Sequence, residues 1–107
     1  MTTIWRGVNS PASPLRPDLM AAVERHTREM WPEAAVLPFM STGATDGLYL
    51  RNAGIPTYGI EGIFSPADDV RAHGRDERVG VKEFFEGREF LYRLVKSLAS
   101  SGSSARQ

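Results

Sequence analysis

Between Ser41 and Val79 the chain loses regular hydrophobic periodicity, and this interruption most constrains what it can fold into. The stretch reads STGATDGLYLRNAGIPTYGIEGIFSPADDVRAHGRDERV. Two polar, glycine-bearing loops, 41–47 and 61–79, frame one short helical run and one short extended run. A loop as long as 61–79 is unusual inside a compact domain and is often functional. The core must therefore come mainly from the segments on either side.

Those segments read as helices. Pro17 suits a first helical position, Asp18 favours the positive helix N-terminus and Pro32 stops the run, so Pro17–Trp31 is one helix. Its apolar face is Leu19, Met20, Val23, Thr27, Met30 and Trp31, with Glu24 and Arg28 paired on the other side. Val81–Leu98 is a second amphipathic helix. Its expected inward face is Phe84, Phe85, Leu91, Leu94, Val95 and Leu98, while Lys82, Glu86, Arg88, Arg93 and Lys96 face water. Gly87 weakens it locally by about 1 kcal/mol relative to Ala. Thr45 or Asp46 caps a short helix over 47–53 that ends at Gly54. Thr2–Val8, Val36–Met40 and Thr57–Ile60 are β-branched or apolar enough for strands, although Pro38 confines the second to an edge. The expected fold class is α/β, in the order helix–strand–helix–strand–helix. Residues 101–107 read as a disordered tail.

With 107 residues the chain is sized for one domain. Thirteen basic residues balance thirteen acidic ones, which leaves no long-range field to gather nucleic acid or an anionic membrane. There is no cysteine, so disulfides and thiolate metal sites are excluded and a reducing, cytoplasmic setting is expected. No apolar run reaches the ~20 residues of a membrane span, and Met1–Ser10 lacks the pattern of a signal peptide.

Two places can carry chemistry. Ser41–Gly47 joins an extended end to a helix N-terminus, where free amides can meet a carboxylate or phosphate, and Gly43 would let a ligand approach the backbone. The same residues also read as a capped turn that binds nothing. His73, in Arg71-Ala72-His73-Gly74-Arg75-Asp76-Glu77-Arg78, can ligate a metal, act as a base or simply hydrogen-bond within its loop. Asp76 and Glu77 read as solvated charges or a helix cap. His26, between Arg25 and Thr27 on the polar flank of the first helix, receives no role. No Ser-His-Asp arrangement and no closely spaced histidine pair is present.

Taken in order, Gly43-Ala44-Thr45-Asp46, Leu50-Arg51-Asn52-Ala53-Gly54-Ile55-Pro56 and Ala72-His73-Gly74-Arg75-Asp76-Glu77-Arg78-Val79 resemble the last part of the zinc-dependent aminoacylase and carboxypeptidase family. That family includes aminoacylase, carnosinase, succinyl-diaminopimelate desuccinylase and yeast vacuolar carboxypeptidase S. The likeness is nearest to the carboxypeptidase S-like branch and runs from about Pro11 to Ala99. It implies the C-terminal segment of a three-layer α/β/α catalytic domain over 11–100, preceded over 1–10 by a remnant of the last strand of an inserted lid domain. It implies hydrolysis of an amide bond, in a small peptide or N-acyl amino acid, at a two-zinc centre. By the same resemblance His73 is a metal ligand, and Gly43 and Thr45 line the substrate.

The sequence also departs from the family's pattern. The other zinc ligands, the bridging Asp and the Glu that activates water belong to a family segment that this sequence does not contain. A two-metal mechanism needs both ions and a base. The chain alone is therefore expected to assign no catalytic residue, to bind zinc weakly if at all, and to be inactive. Uncovered apolar faces lead to an expected homo-oligomer. The alternative is a non-enzymatic α/β module that associates with itself or with a partner.

Overall fold

A computed structural model describes residues 9–41 and 44–104. Among the described residues three helices follow one another: α1 (Pro17–Met30), α2 (Gly47–Asn52) and α3 (Val81–Ser104). The chain divides into two compact units, one formed by Met1–Arg16 and Leu37–Gly59 and the other by Pro17–Val36 and Ile60–Gln107.

In the second unit α1 packs against α3. Leu19, Ala22, Val23, Phe90 and Leu94 are the buried apolar residues. Burying a side chain of the Phe or Leu type contributes about 1.5–3 kcal/mol. Trp31, just past α1, lies edge-on to Phe64 at 4.9 Å between ring centroids and 5.4 Å from the ring of Phe90. Segment 62–63 presses on α3 at Gly87, where a Cβ would lie 3.2 Å from both the carbonyl carbon and the oxygen of Gly62. Gly62 in turn admits the rings of Trp31 and Phe90, its own missing Cβ falling 2.8 Å and 3.0 Å from them. Two glycines therefore bring the segment and the helix into backbone contact.

A polar chain crosses the same helix pair. His26 is buried, with Nδ1 3.0 Å from Glu29 Oε2, and Arg93 reaches Glu29 at 3.9 Å and Glu89 at 2.9 Å. Arg25 donates to Ser97 on α3. The polar flank assigned to α1 thus faces α3, and His26 is a packing residue.

The inward side of α3 differs from the expected one. Gly87, Phe90 and Leu94 are buried, whereas Phe84, Phe85, Leu91 and Val95 are 38–62% exposed. The helix is apolar on two sides, so hydrophobic spacing alone does not select the packed one. The small Gly87 does, because only there can segment 62–63 come close. α3 also runs to Ser104, past the expected end at Leu98.

The first unit is laced by side chains. Arg51 Nε donates to Ser10 Oγ at 3.1 Å, and Asn52 Nδ2 to the Asn9 carbonyl at 3.2 Å. Ser13 Oγ accepts from the Thr57 amide at 2.9 Å and donates to the Thr57 carbonyl at 2.8 Å. Tyr58 donates its hydroxyl to the Pro14 carbonyl. α2 closes as expected at Gly54, with φ 86°, through bonds from Gly54 N to Arg51 O and from Ile55 N to Leu50 O at 3.0 Å and 2.9 Å. This is a Schellman ending, which needs the left-handed conformation that glycine supplies.

The α/β expectation is therefore corrected, because the described residues are helical and contain no strand or sheet. Residues 36–40 and 57–60 belong to no strand. Pro38 has no N–H to give a ladder, and the backbone groups of Thr57 are satisfied by the Ser13 hydroxyl instead of another strand. Without sheet, the three-layer α/β/α arrangement fails as well. The expected strand at Thr2–Val8 lies outside the described residues.

Candidate functional site

His73 stands out through its backbone. Its φ of 63° makes it the only non-glycine residue with positive φ among the described residues. The amide of Gly74 donates to the carbonyl of Arg71 at 3.0 Å, closing a tight turn over 71–74. Positive φ at the third position alone is the pattern of a type II turn, where glycine or asparagine is usual. A left-handed conformation costs an L-residue about 1–2 kcal/mol. Strain of this kind persists only where the surroundings over-determine it.

Here the surroundings are charged. Asp69 accepts from Arg71 Nε on one carboxylate oxygen, and from Arg78 on the other, at 3.0 Å from Nη2 and 3.4 Å from Nε. Arg71 also lies 3.7 Å from Asp76. The hydrogen bonds from Arg71, and then those from Arg78, hold the Asp69 carboxyl below its ordinary value of 3.8. Loop 69–78 is thus tied at its entry and its exit to one carboxylate. At its tip His73 is exposed, and its imidazole makes no hydrogen bond among the described residues. The sequence reading took Asp76 and Glu77 as solvated charges or a helix cap and missed Asp69. An Asp paired at separations of two and nine residues follows no regular period, so no pattern flags it.

Thr45 lies in the other compact unit and is exposed. Its hydroxyl accepts from the amide of Gly47 at 3.3 Å, so Thr45 caps α2 while Asp46 makes no side-chain cap bond. Gly47 is buried, and a Cβ there would lie 2.8 Å from Arg51 Nη1. Gly43 lies outside the described residues. His73 and Thr45 are each placed within their own unit.

Zinc asks for about three protein ligands at a catalytic site. Among the described residues no group of three or more His, Cys, Asp or Glu side chains is placed to hold a metal ion. The acid that braces the His73 turn, Asp69, is already taken by two guanidinium groups. His73 can offer one imidazole, but these residues do not make a metal centre by themselves.

No described helix is long and apolar enough to cross a membrane. Against known families, the profile described as peptidase family M20/M25/M40 matches residues 2–97. No curated protein and no solved structure matches significantly.

Proposed function

The chain belongs to peptidase family M20/M25/M40, and from that premise we propose that it is the C-terminal segment of a zinc-dependent amidohydrolase, of the carboxypeptidase S-like branch, acting on N-acyl amino acids or small peptides. Within it His73 is a single metal ligand carried on a loop tip, and Gly43 and Thr45 belong to the loop that lines the substrate. The observation that carries this reading is the His73 turn, which holds an unengaged imidazole outward at an energetic cost. A histidine that only filled space would not need φ 63°.

The remaining ligands, the base and the second ion are supplied by other parts of the catalytic domain, and the chain by itself is inactive. Its lack of cysteine fits a reducing compartment such as the cytoplasm. A second copy of this chain is the partner we assign to the outer side of α3. Val81, Phe84, Leu91 and Val95 recur there at three- and four-residue spacing around Arg88, and are 72, 49, 38 and 62% exposed.

Zinc titration followed by NMR of the histidine ring nitrogens tests the ligand. The His73 ring responds, the buried His26 ring does not, and binding stays weak. A silent His73 ring would remove it from the metal. Stoichiometric, submicromolar binding lost in His73→Ala would show that this chain completes a site alone. Zinc-dependent hydrolysis of an N-acyl amino acid by the purified chain, abolished in the same variant, would overturn its inactivity.

A further inference from the structure

We propose that Asp69 is the positioning residue for His73, holding the 71–74 turn in its left-handed form by bridging Arg71 and Arg78. The inference rests on the reading of His73 as the working side chain of this loop, and it assigns the residue that makes it so.

The geometry is specific. Arg71 is the first residue of the turn, and its carbonyl receives the Gly74 amide at 3.0 Å. Its guanidinium is held by Asp69 on one side and lies 3.7 Å from Asp76 on the other. The turn's first residue is therefore fixed through both backbone and side chain. Arg78 fixes the returning limb to the second oxygen of the same carboxylate. An isolated exposed ion pair contributes little. Two guanidinium groups on one carboxylate form a network, and planar N–H···O contacts set direction as well as attraction. A left-handed histidine that would otherwise relax is the feature such a network explains.

Asn at position 69 keeps the size but loses the charge and one acceptor, while Glu keeps both oxygens. In the full chain, Asp69→Asn is expected to collapse the three-bond amide–α coupling of His73 to the value averaged over both signs of φ. The protection of the Gly74 amide is lost with it, whereas the helical circular dichroism and the Gly54 turn stay as in the parent. Asp69→Glu recovers the His73 coupling at least in part. Arg78→Gln removes only the exit tether and gives the same loss, so it decides the matter even if Asp69→Asn fails to fold. A parent-like His73 coupling in both Asp69→Asn and Arg78→Gln would overturn the proposal. These readouts need neither metal nor substrate. A broken clamp with a zinc-silent His73 would sink the ligand reading alone, and a zinc-responsive His73 with an intact turn in the variants would sink the clamp alone.

Discussion

Gly87→Ala sets helix propensity against packing at a single atom. Glycine inside a helix is about 1 kcal/mol less favourable than alanine, so propensity alone predicts a more stable protein. The added Cβ, however, would lie 2.7 Å from Ile63 Cγ1 and 3.2 Å from the carbonyl carbon and oxygen of Gly62. The Ile63 side chain can turn away. The Gly62 backbone is less free, since it is wedged under the rings of Trp31 and Phe90. Overpacking of this kind costs about 1–3 kcal/mol. The two effects leave a net loss of about 1 kcal/mol. For a chain of this size that lowers the thermal midpoint by roughly 4–8 °C. Thermal unfolding followed by far-ultraviolet circular dichroism reads the change, with a parallel urea titration to check the slope. A midpoint raised by several degrees would refute the reasoning, because it would mean that segment 62–63 does not rest on α3.

His73→Gly relieves the left-handed strain, worth about 1–2 kcal/mol, but loses about 0.5–1 kcal/mol to the freer unfolded chain. Urea unfolding should show equal or slightly higher stability, and a drop above about 1 kcal/mol would mean the turn is not strained. Because Asp69 has its folded pKa depressed, its contribution is present above 3.8 and is lost as pH falls through the lower folded value. Gly74 amide protection should accordingly hold above pH 3.8 and fall only below it, and loss already at pH 6 would contradict the pairing. Ser13→Ala leaves the Thr57 amide unmet and removes a donor from its carbonyl, costing about 1–2 kcal/mol locally, visible as faster exchange at Thr57. Sedimentation should show concentration-dependent dimers that Phe84→Lys abolishes, and a monomer at every concentration would remove the proposed pairing.

What the sequence made legible was local. Pro17 and Asp18 mark the start of α1, and Gly54 marks the end of α2, because each follows from one residue's own backbone preferences. His73 was singled out through its neighbours in a motif, and the structure adds its positive φ, which no motif announces. The strands were not legible, since a strand is a relation between two segments. Thr57–Ile60 has the right residues, yet the Ser13 hydroxyl takes the bonds a neighbouring strand would have made. The packed side of α3 was hidden for a related reason. Phe84 and Phe90 are equally apolar, and only the missing side chain at Gly87 determines which of them is covered. Asp69 escaped notice because a turn braced across nine residues leaves no periodic trace.

The pairing of α1 with α3 has a kinetic side. A helix of 14 residues is marginal on its own in water, so α1 gains its persistence from α3. The two meet only after the whole of residues 31–80 has been drawn into a closed ring of chain. The entropy of such closure grows slowly, by about 0.6 kcal/mol for each doubling of length. Because the closure cost rises so slowly, added length between the two helices matters little. Several inserted residues in the exposed stretch 65–68 should slow folding only slightly. Shortening residues 60–64, which place Gly62 on Gly87, should slow it severely, because the encounter would then lack the contact that makes it last.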